Sequence, residues 1–173
     1  MCRRVPQIHK RPRGDALTDM IFRRASAQDV SKIARLEEEI FSDAWSERAV
    51  SDCIMRGGMC FVALSDDELV AYVIGVLIAP EGEIYRVAVS PDKRRRGIGY
   101  RLLDYSVKTE RGRGLETLFL EVRSQNTAAR NLYKAYGFEE VSIRKNYYRN
   151  PVDDAVIMLK ASPADMRMPY GKN

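Results

Sequence analysis

Histidine is almost missing. His9 is the only one in 173 residues, and it lies near a basic, proline-broken N-terminus. A Ser-His-Asp triad, a Cys-His pair or a multi-histidine metal centre would have to be built from that one side chain, so these chemistries are excluded. Cysteine is nearly as scarce: Cys2, Cys53 and Cys60 are odd in number and lack the close pairing of a zinc ligand set. Reduced thiols and no metal site are expected. Long apolar runs are also lacking. The longest, residues 69–79, has 11 residues, whereas crossing a bilayer takes roughly 20. The basic start carries no continuous apolar stretch of the secretory kind, because Pro6, His9, Lys10, Arg11 and Arg13 interrupt it. A cytoplasmic chain without membrane attachment is expected.

With 45% hydrophobic and 31% charged residues, the sequence has the balance of a globular protein, and its length suits one core. We expect a domain over residues 20–160, a basic flexible tail at 1–19 and a second tail at 161–173. Of the net charge of +5, residues 1–19 hold +3, residues 162–173 hold +1, and the middle holds the remaining +1. A nucleic-acid module carries its basic excess on the folded part, so direct nucleic-acid binding by the core is not expected. Within the core, residues 86–101 hold six basic groups against Asp92, while residues 29–47 hold six acidic groups against Lys32 and Arg35.

Along the chain, residues 21–24 read as a short strand. Ser26 and Asp29 then open a helix running to about Glu39, with Val30, Ile33, Leu36 or Glu37, and Ile40 at helical spacing. Ser46 opens a second helix, and Gly57-Gly58 stops it. Residues 59–64 and 69–79 form strands joined at Asp66-Asp67 as a hairpin, and residues 83–89 form a third strand of this group. Residues 98–110 are a helix, residues 117–122 a strand, and Asn126 caps a helix that ends at Gly137. Residues 138–144 and 155–159 complete the set, with Tyr147, Tyr148 and Pro151 in the loop between them.

The informative stretch is Val87-Ala88-Val89-Ser90-Pro91 followed by Arg94-Arg95-Arg96-Gly97-Ile98-Gly99. A strand delivers the chain to a glycine-bearing turn at a helix start, where free amides and the positive end of the helix dipole make an anion site. It has neither the Gly-x-x-x-x-Gly-Lys core of a triphosphate P-loop nor the third glycine of a dinucleotide fingerprint.

Arg94, Gly97 and Gly99 fill the Arg/Gln-x-x-Gly-x-Gly/Ala signature, and here the chain resembles the GNAT superfamily of acetyl-CoA-dependent N-acetyltransferases. More narrowly it resembles the RimI group, the ribosomal-protein alanine N-acetyltransferases. The supporting segments, in order, are Ala44-Trp45-Ser46-Glu47, the signature loop, Leu120-Glu121-Val122-Arg123 with Asn126, Leu132-Tyr133 before Gly137-Phe138, and Arg144-Lys145-Asn146-Tyr147-Tyr148 before Asp154-Ala155. The resemblance covers residues 20–160. It implies an α/β (α+β) GNAT fold, a mixed sheet of about six to seven strands flanked by about four helices, in which splayed parallel strands form the acetyl-CoA cleft.

The same resemblance implies roles. Amides of Val87, Ala88 and Val89 would hold the pantetheine arm. Arg94, Arg95, Arg96, Gly97, Ile98, Gly99 and Tyr100 would surround the pyrophosphate, and Asn126 would contact the cofactor. Glu121 would be the base and Tyr133 the acid, while Trp45, Tyr147 and Tyr148 would bind the acceptor, the N-terminal segment of a ribosomal protein. By their charge, and not through the resemblance, Glu37 to Glu39 and Asp153-Asp154 would favour a positively charged peptide start. Two departures bear on the acceptor: Tyr85-Arg86 stands where the group often has an asparagine, and Ser124-Gln125 replaces smaller residues before Asn126. Other acceptors (a small amine, an antibiotic, a protein lysine) remain open at this point, as does a non-catalytic acetyl-CoA-binding module. The residues themselves leave Glu121 open to a plain surface pairing with Arg123, and Tyr133 open to a core role.

Overall fold

The computed structural model describes residues 20–161. The tail at 1–19, with Cys2 and His9, and residues 162–173 lie outside the described residues. Seven strands, β1 (Met20–Arg24), β2 (Met59–Ser65), β3 (Glu68–Ile78), β4 (Glu81–Val89), β5 (Thr117–Arg123), β6 (Glu139–Arg149) and β7 (Val152–Lys160), form one sheet in the order β1-β2-β3-β4-β5-β7-β6. Among the described residues, only β4 and β5 pair in parallel. Helices α1 (Val30–Ile40) and α2 (Glu47–Met55) precede β2, α3 (Ile98–Arg111) links β4 to β5, and α4 (Thr127–Tyr136) links β5 to β6.

Local chemistry accounts for the boundaries. Ser26 and Asp29 form the expected capping box at a 3-10 turn ahead of α1, and Arg23 grips the buried Asp29 carboxylate with two hydrogen bonds of 2.7 and 2.8 Å. Ser46 and Asn126 cap α2 and α4 by accepting from Ala49 and Ala129. Asp66 and Asp67 both have positive φ (51° and 65°), the conformation that a two-residue hairpin turn requires.

Alternation along the strands divides the core between the two faces of the sheet. Phe61, Ala63, Leu118, Leu120 and Val122 pack on one face with Leu102, Leu103 and Val107 of α3 and Tyr133 of α4. Cys60, Val62, Leu64, Tyr72 and Ile74 pack on the other with Ile33, Leu36 and Val50 of α1 and α2. β2 is thus apolar at nearly every position because both its faces are covered.

The C-terminal hairpin is longer than expected. Tyr147 and Tyr148 lie on β6 rather than in a loop, and Asp153 and Asp154 lie on β7. The polar run 144–150 carries no strand pattern. It is held in the sheet by β7 across a register shift between Arg144 and Tyr148, where Asn146 takes a φ of 52°.

Candidate active site

β4 and β5 are joined only from Glu81–Thr117 to Ile84–Leu120. Beyond that point β4 continues with β3 while β5 continues with β7, so the two parallel strands part. The parting coincides with a bulge in β4. Ile74 faces Arg86 and Gly75 faces Ile84, which leaves Tyr85 as the extra residue. Past the bulge, Ser90 donates to Val70 O at 2.8 Å. Antiparallel alternation then commits Ala88 to β3 and turns the amides of Val87 and Val89 toward the opening. Of the three amides expected there, two therefore face the cleft and Ala88 does not.

The loop after β4 is pinned by its own arginines and turns sharply into α3. Arg94 donates from Nε to Val89 O at 3.1 Å, Arg95 and Gly97 both take left-handed φ (60° and 74°), and Arg96 donates to Asp92 O. Arg101 N–H bonds to Gly97 O at 3.0 Å as the first helical bond, so the amides of Ile98, Gly99 and Tyr100 have no partner within the helix. A Cβ built on Gly97 would meet nothing within 4 Å, so the space above the turn is open. On Gly99 it would reach Leu132 and Val89 at 3.4 Å, an ordinary packing contact. Ile98 and Gly99 are buried, and Tyr100 leans its ring edge on Tyr136 at 5.3 Å.

Glu121 sits one residue past the last β4–β5 pair, on the face opposite buried Leu120 and Val122. Its carboxylate accepts from Arg144 at 2.5 Å, and the nearby Glu121 charge holds the Tyr147 pKa above its ordinary value. The carboxylate is not paired with Arg123, which reaches the carbonyls of Asn150 and Pro151 and lies over the Tyr148 ring at 4.1 Å. Tyr133 is buried against Phe138. Burial, then the nearby Tyr148, pushes its hydroxyl pKa up, so it stays protonated at neutral pH. Tyr148 is likewise raised by burial first and by Glu121 second. The structure thus draws Glu121, Tyr147 and Tyr148 toward one another, with the Tyr147 and Tyr148 rings 5.2 Å apart, while Tyr133 packs on Phe138. Asn126 is further removed in role: its Oδ1 is engaged in capping α4 at 3.1 Å from Ala129 N.

Across the opening, the Trp45 and Tyr85 rings meet at a tilt of 42° with centroids 5.9 Å apart. They are steadied from below by Glu37, which has no solvent exposure and accepts from the Trp45 amide at 2.9 Å and from the Tyr72 hydroxyl. Arg86 lies 4.0 Å from Glu37, covers the Phe41 ring at 4.4 Å, and donates to the side chain and carbonyl of Asp43. The Arg86 hydrogen bond lowers the Asp43 pKa. Glu37 is therefore no part of an acidic surface. Asp153 and Asp154 are also engaged, Asp153 with Ser124 and Asp154 with Lys145, and no shared acidic patch with α1 results.

Residues 28–138 match the model of the acetyltransferase (GNAT) family, more than half of the chain. This chain belongs to the GNAT acetyltransferase family. The acetyltransferase is 34% identical over 135 residues to the [ribosomal protein bS18]-alanine N-acetyltransferase of Salmonella typhimurium, covering 77% of this chain and 91% of that enzyme. The Escherichia coli enzyme of the same name is 33% identical over 132 residues, 75% of this chain and 89% of its own. Among solved structures, the ribosomal-protein-S18-alanine N-acetyltransferase from E. coli superposes with a TM-score of 0.78 at 29% identity, covering 87% of this chain and 99% of that one. Arabidopsis thaliana Naa50, solved with the bisubstrate analogue CoA-Ac-MVNAL, shares the fold with a TM-score of 0.74 at 22% identity, covering 83% and 99%.

An acetyl-CoA co-substrate fits what this acetyltransferase presents. Two outward amides on β4, an open turn over Gly97 and the first-turn amides of α3 suit an extended amide-bearing arm that ends in a pyrophosphate. The sequence names Glu37, Arg86 and Arg144 but does not give the parts they play in the site. Glu37 carried a signal, a carboxylate at an apolar position of the α1 period. Arg86 was visible only as a departure from the RimI pattern. Arg144 carried none, because its bond to Glu121 spans 23 residues and depends on the register of β6.

Proposed function

We propose that this acetyltransferase transfers the acetyl group of acetyl-CoA to the α-amino group of a ribosomal protein that begins with alanine. The observation that carries the reading is the parting of β4 and β5, with outward amides on one lip and the Glu121 carboxylate on the other. The alanine and ribosomal acceptor rest on the names of relatives whose lengths the chain nearly spans.

Acetyl-CoA supplies an activated acetyl group, and the chain has to bind it, take a proton from the acceptor ammonium and give one to the departing thiolate. The amides of Val87 and Val89 hold the pantetheine arm and polarise the carbonyl. Arg94, Arg95, Arg96 and the turn from Gly97 to Tyr100 hold the pyrophosphate, and Asn126 holds the start of α4 against the cleft. Glu121 takes the proton from the acceptor ammonium, directly or through water. To do so it exchanges its contact with Arg144 for one with the incoming amine. Tyr133, kept protonated by burial, gives a proton to the departing thiolate. Trp45, Tyr147 and Tyr148 line the acceptor's path.

The acceptor's own chemistry favours an α-amine. With a pKa of about 8, roughly one-tenth is neutral at pH 7, against about one in 2,500 for a lysine of pKa about 10.4. Lysine thus starts about 3.3 kcal/mol behind, a difference that one carboxylate meets less readily. We further infer that residues 20–160 are the working domain. The test is acetyl transfer from acetyl-CoA to two peptides, one beginning with a free alanine and one N-terminally blocked with an internal lysine. The free alanine peptide should react faster, and equal rates would reject the N-terminal reading.

A further inference from the structure

Cys53 and Cys60, expected as reduced thiols, are both free, and the fold brings them together. Cys53, near the end of α2, and Cys60, the second residue of β2, have their sulfurs 3.4 Å apart. The turn between them is shaped to allow it. Gly57 takes a φ of 74°, Gly58 N–H bonds to Cys53 O at 3.0 Å, and a Cβ on Gly58 would stand 2.9 Å from the Cys53 sulfur. Only glycine at position 58 leaves the sulfur room. The two thiols also differ. Cys60 is buried at 1% exposure and donates its S–H to Cys53, which is half-buried and also contacts Gly75 O at 3.6 Å. That hydrogen bond lowers the Cys53 pKa and raises that of Cys60, the asymmetry of an attacking and a resolving thiol.

We propose that Cys53 and Cys60 are a peroxide-responsive dithiol that closes to an intramolecular disulfide in the folded enzyme. The Cys53 thiolate attacks hydrogen peroxide, the O–O bond breaks, and Cys53 becomes a sulfenic acid while hydroxide leaves and takes up a proton as water. The Cys60 sulfur then attacks the Cys53 sulfur, the S–O bond breaks, and the hydroxyl leaves with the Cys60 proton as a second water. The two thiols lose two electrons and one peroxide gains them. The sulfurs have to approach by only about 1.3 Å to reach disulfide length.

The link would act on the acceptor side of the cleft, a consequence that rests on the acceptor reading above. α2 carries Cys53 near its end and begins just after Trp45, and Cys53 lies close enough to Tyr85 to help raise that hydroxyl's pKa, after burial and Glu83. Drawing α2 toward β2 therefore moves the Trp45–Tyr85 wall and leaves the α3 turn alone.

The experiment treats the full-length enzyme with equimolar hydrogen peroxide, blocks free thiols, and maps tryptic peptides without reduction. Peptides 49–56 and 57–86 should appear joined, two hydrogens lighter than their sum, and dithiothreitol should separate them. In Cys60→Ala, Cys53 should stop at a dimedone-trappable sulfenic acid, and in Cys53→Ser, Cys60 should stay unmodified. Native enzyme in which Cys53 proceeds to sulfinic acid beside a free Cys60, or in which Cys53 links to Cys2 instead, overturns the site. The map reads the dithiol whatever the acceptor proves to be. The joined form should show at least a twofold change in KM for the alanine peptide, with acetyl-CoA affinity unchanged. An unchanged KM overturns the coupling to the acceptor wall.

Discussion

The turn after β4 and the carboxylate site on β5 serve one cleft, yet they are built by different means. The first is almost all backbone. Its amides come from one continuous stretch, and its shape depends on two left-handed residues and the start of a helix. The second is almost all side chain. Glu121, Tyr133, Arg144 and Tyr147 come from β5, α4 and β6, and the opposing wall comes from the segment before α2 and from the β4 bulge. A site made of backbone tolerates changes that keep its turn. A site made of side chains changes with every register shift, and that is where a family would vary its acceptor.

The sharpest way to break this contrast is Gly97→Glu. The space above Gly97 is open and its φ is 74°, so a glutamate there is strained, fills the anion's place and adds like charge. Acetyl-CoA binding should fall below detection by calorimetry in a variant whose circular dichroism stays native. Glu121→Gln and Tyr133→Phe come next. Each should lower turnover by about 100- to 10,000-fold with little change in acetyl-CoA affinity, because shape is kept and proton transfer is lost. The Glu121→Gln deficit should shrink as pH rises and more amine arrives neutral. Loss of cofactor affinity in both variants would merge the two regions into one.

Arg86→Ala should have a smaller and one-sided effect. Without the clamp on Phe41 and Asp43 the acceptor wall loosens, and we expect KM for the peptide to rise about tenfold, equivalent to about 1.4 kcal/mol, while acetyl-CoA affinity holds. Asp29 tests the capping turn ahead of α1 instead. Burial alone would raise its carboxyl pKa, but the bonds from Arg23 and Ser26 outweigh burial and hold it below the usual value. A depressed carboxyl stabilises the fold above its unfolded pKa near 4 and loses that contribution as pH falls through the folded value. Asp29→Asn should therefore cost about 1–2 kcal/mol at pH 7 in urea unfolding, and the gap should close toward pH 2. Smallest of all, removing residues 1–19 should leave peptide acetylation within about twofold, since a change of that size is under about 0.5 kcal/mol.

Much of the fold was legible because its signals are local. The capping box at Ser26, the paired aspartates at 66–67 and the caps at Ser46 and Asn126 each act within a few residues of themselves, and each stands where periodicity put it. The C-terminal hairpin was less legible. Residues 144–150 show no alternation, and only the β7 backbone makes a strand of them. Glu37 was legible in position and misread in role, since a carboxylate at a core position needs partners that the sequence does not place beside it.

The sequence by itself determined the family, the order of the elements and the glycine turn at the start of α3, because a glycine-bearing loop at a helix start carries its conformation in its own backbone. Tertiary structure alone decided that the Ala88 amide belongs to β3, that Glu121 answers to Arg144 and Tyr147 rather than Arg123, and that Cys53 meets Cys60. Each of these turns on which edge of a strand, or which end of a helix, faces a partner distant in the chain or folded back across a turn. One residue of register reverses a strand's edges and faces, and register is settled only when the sheet is assembled.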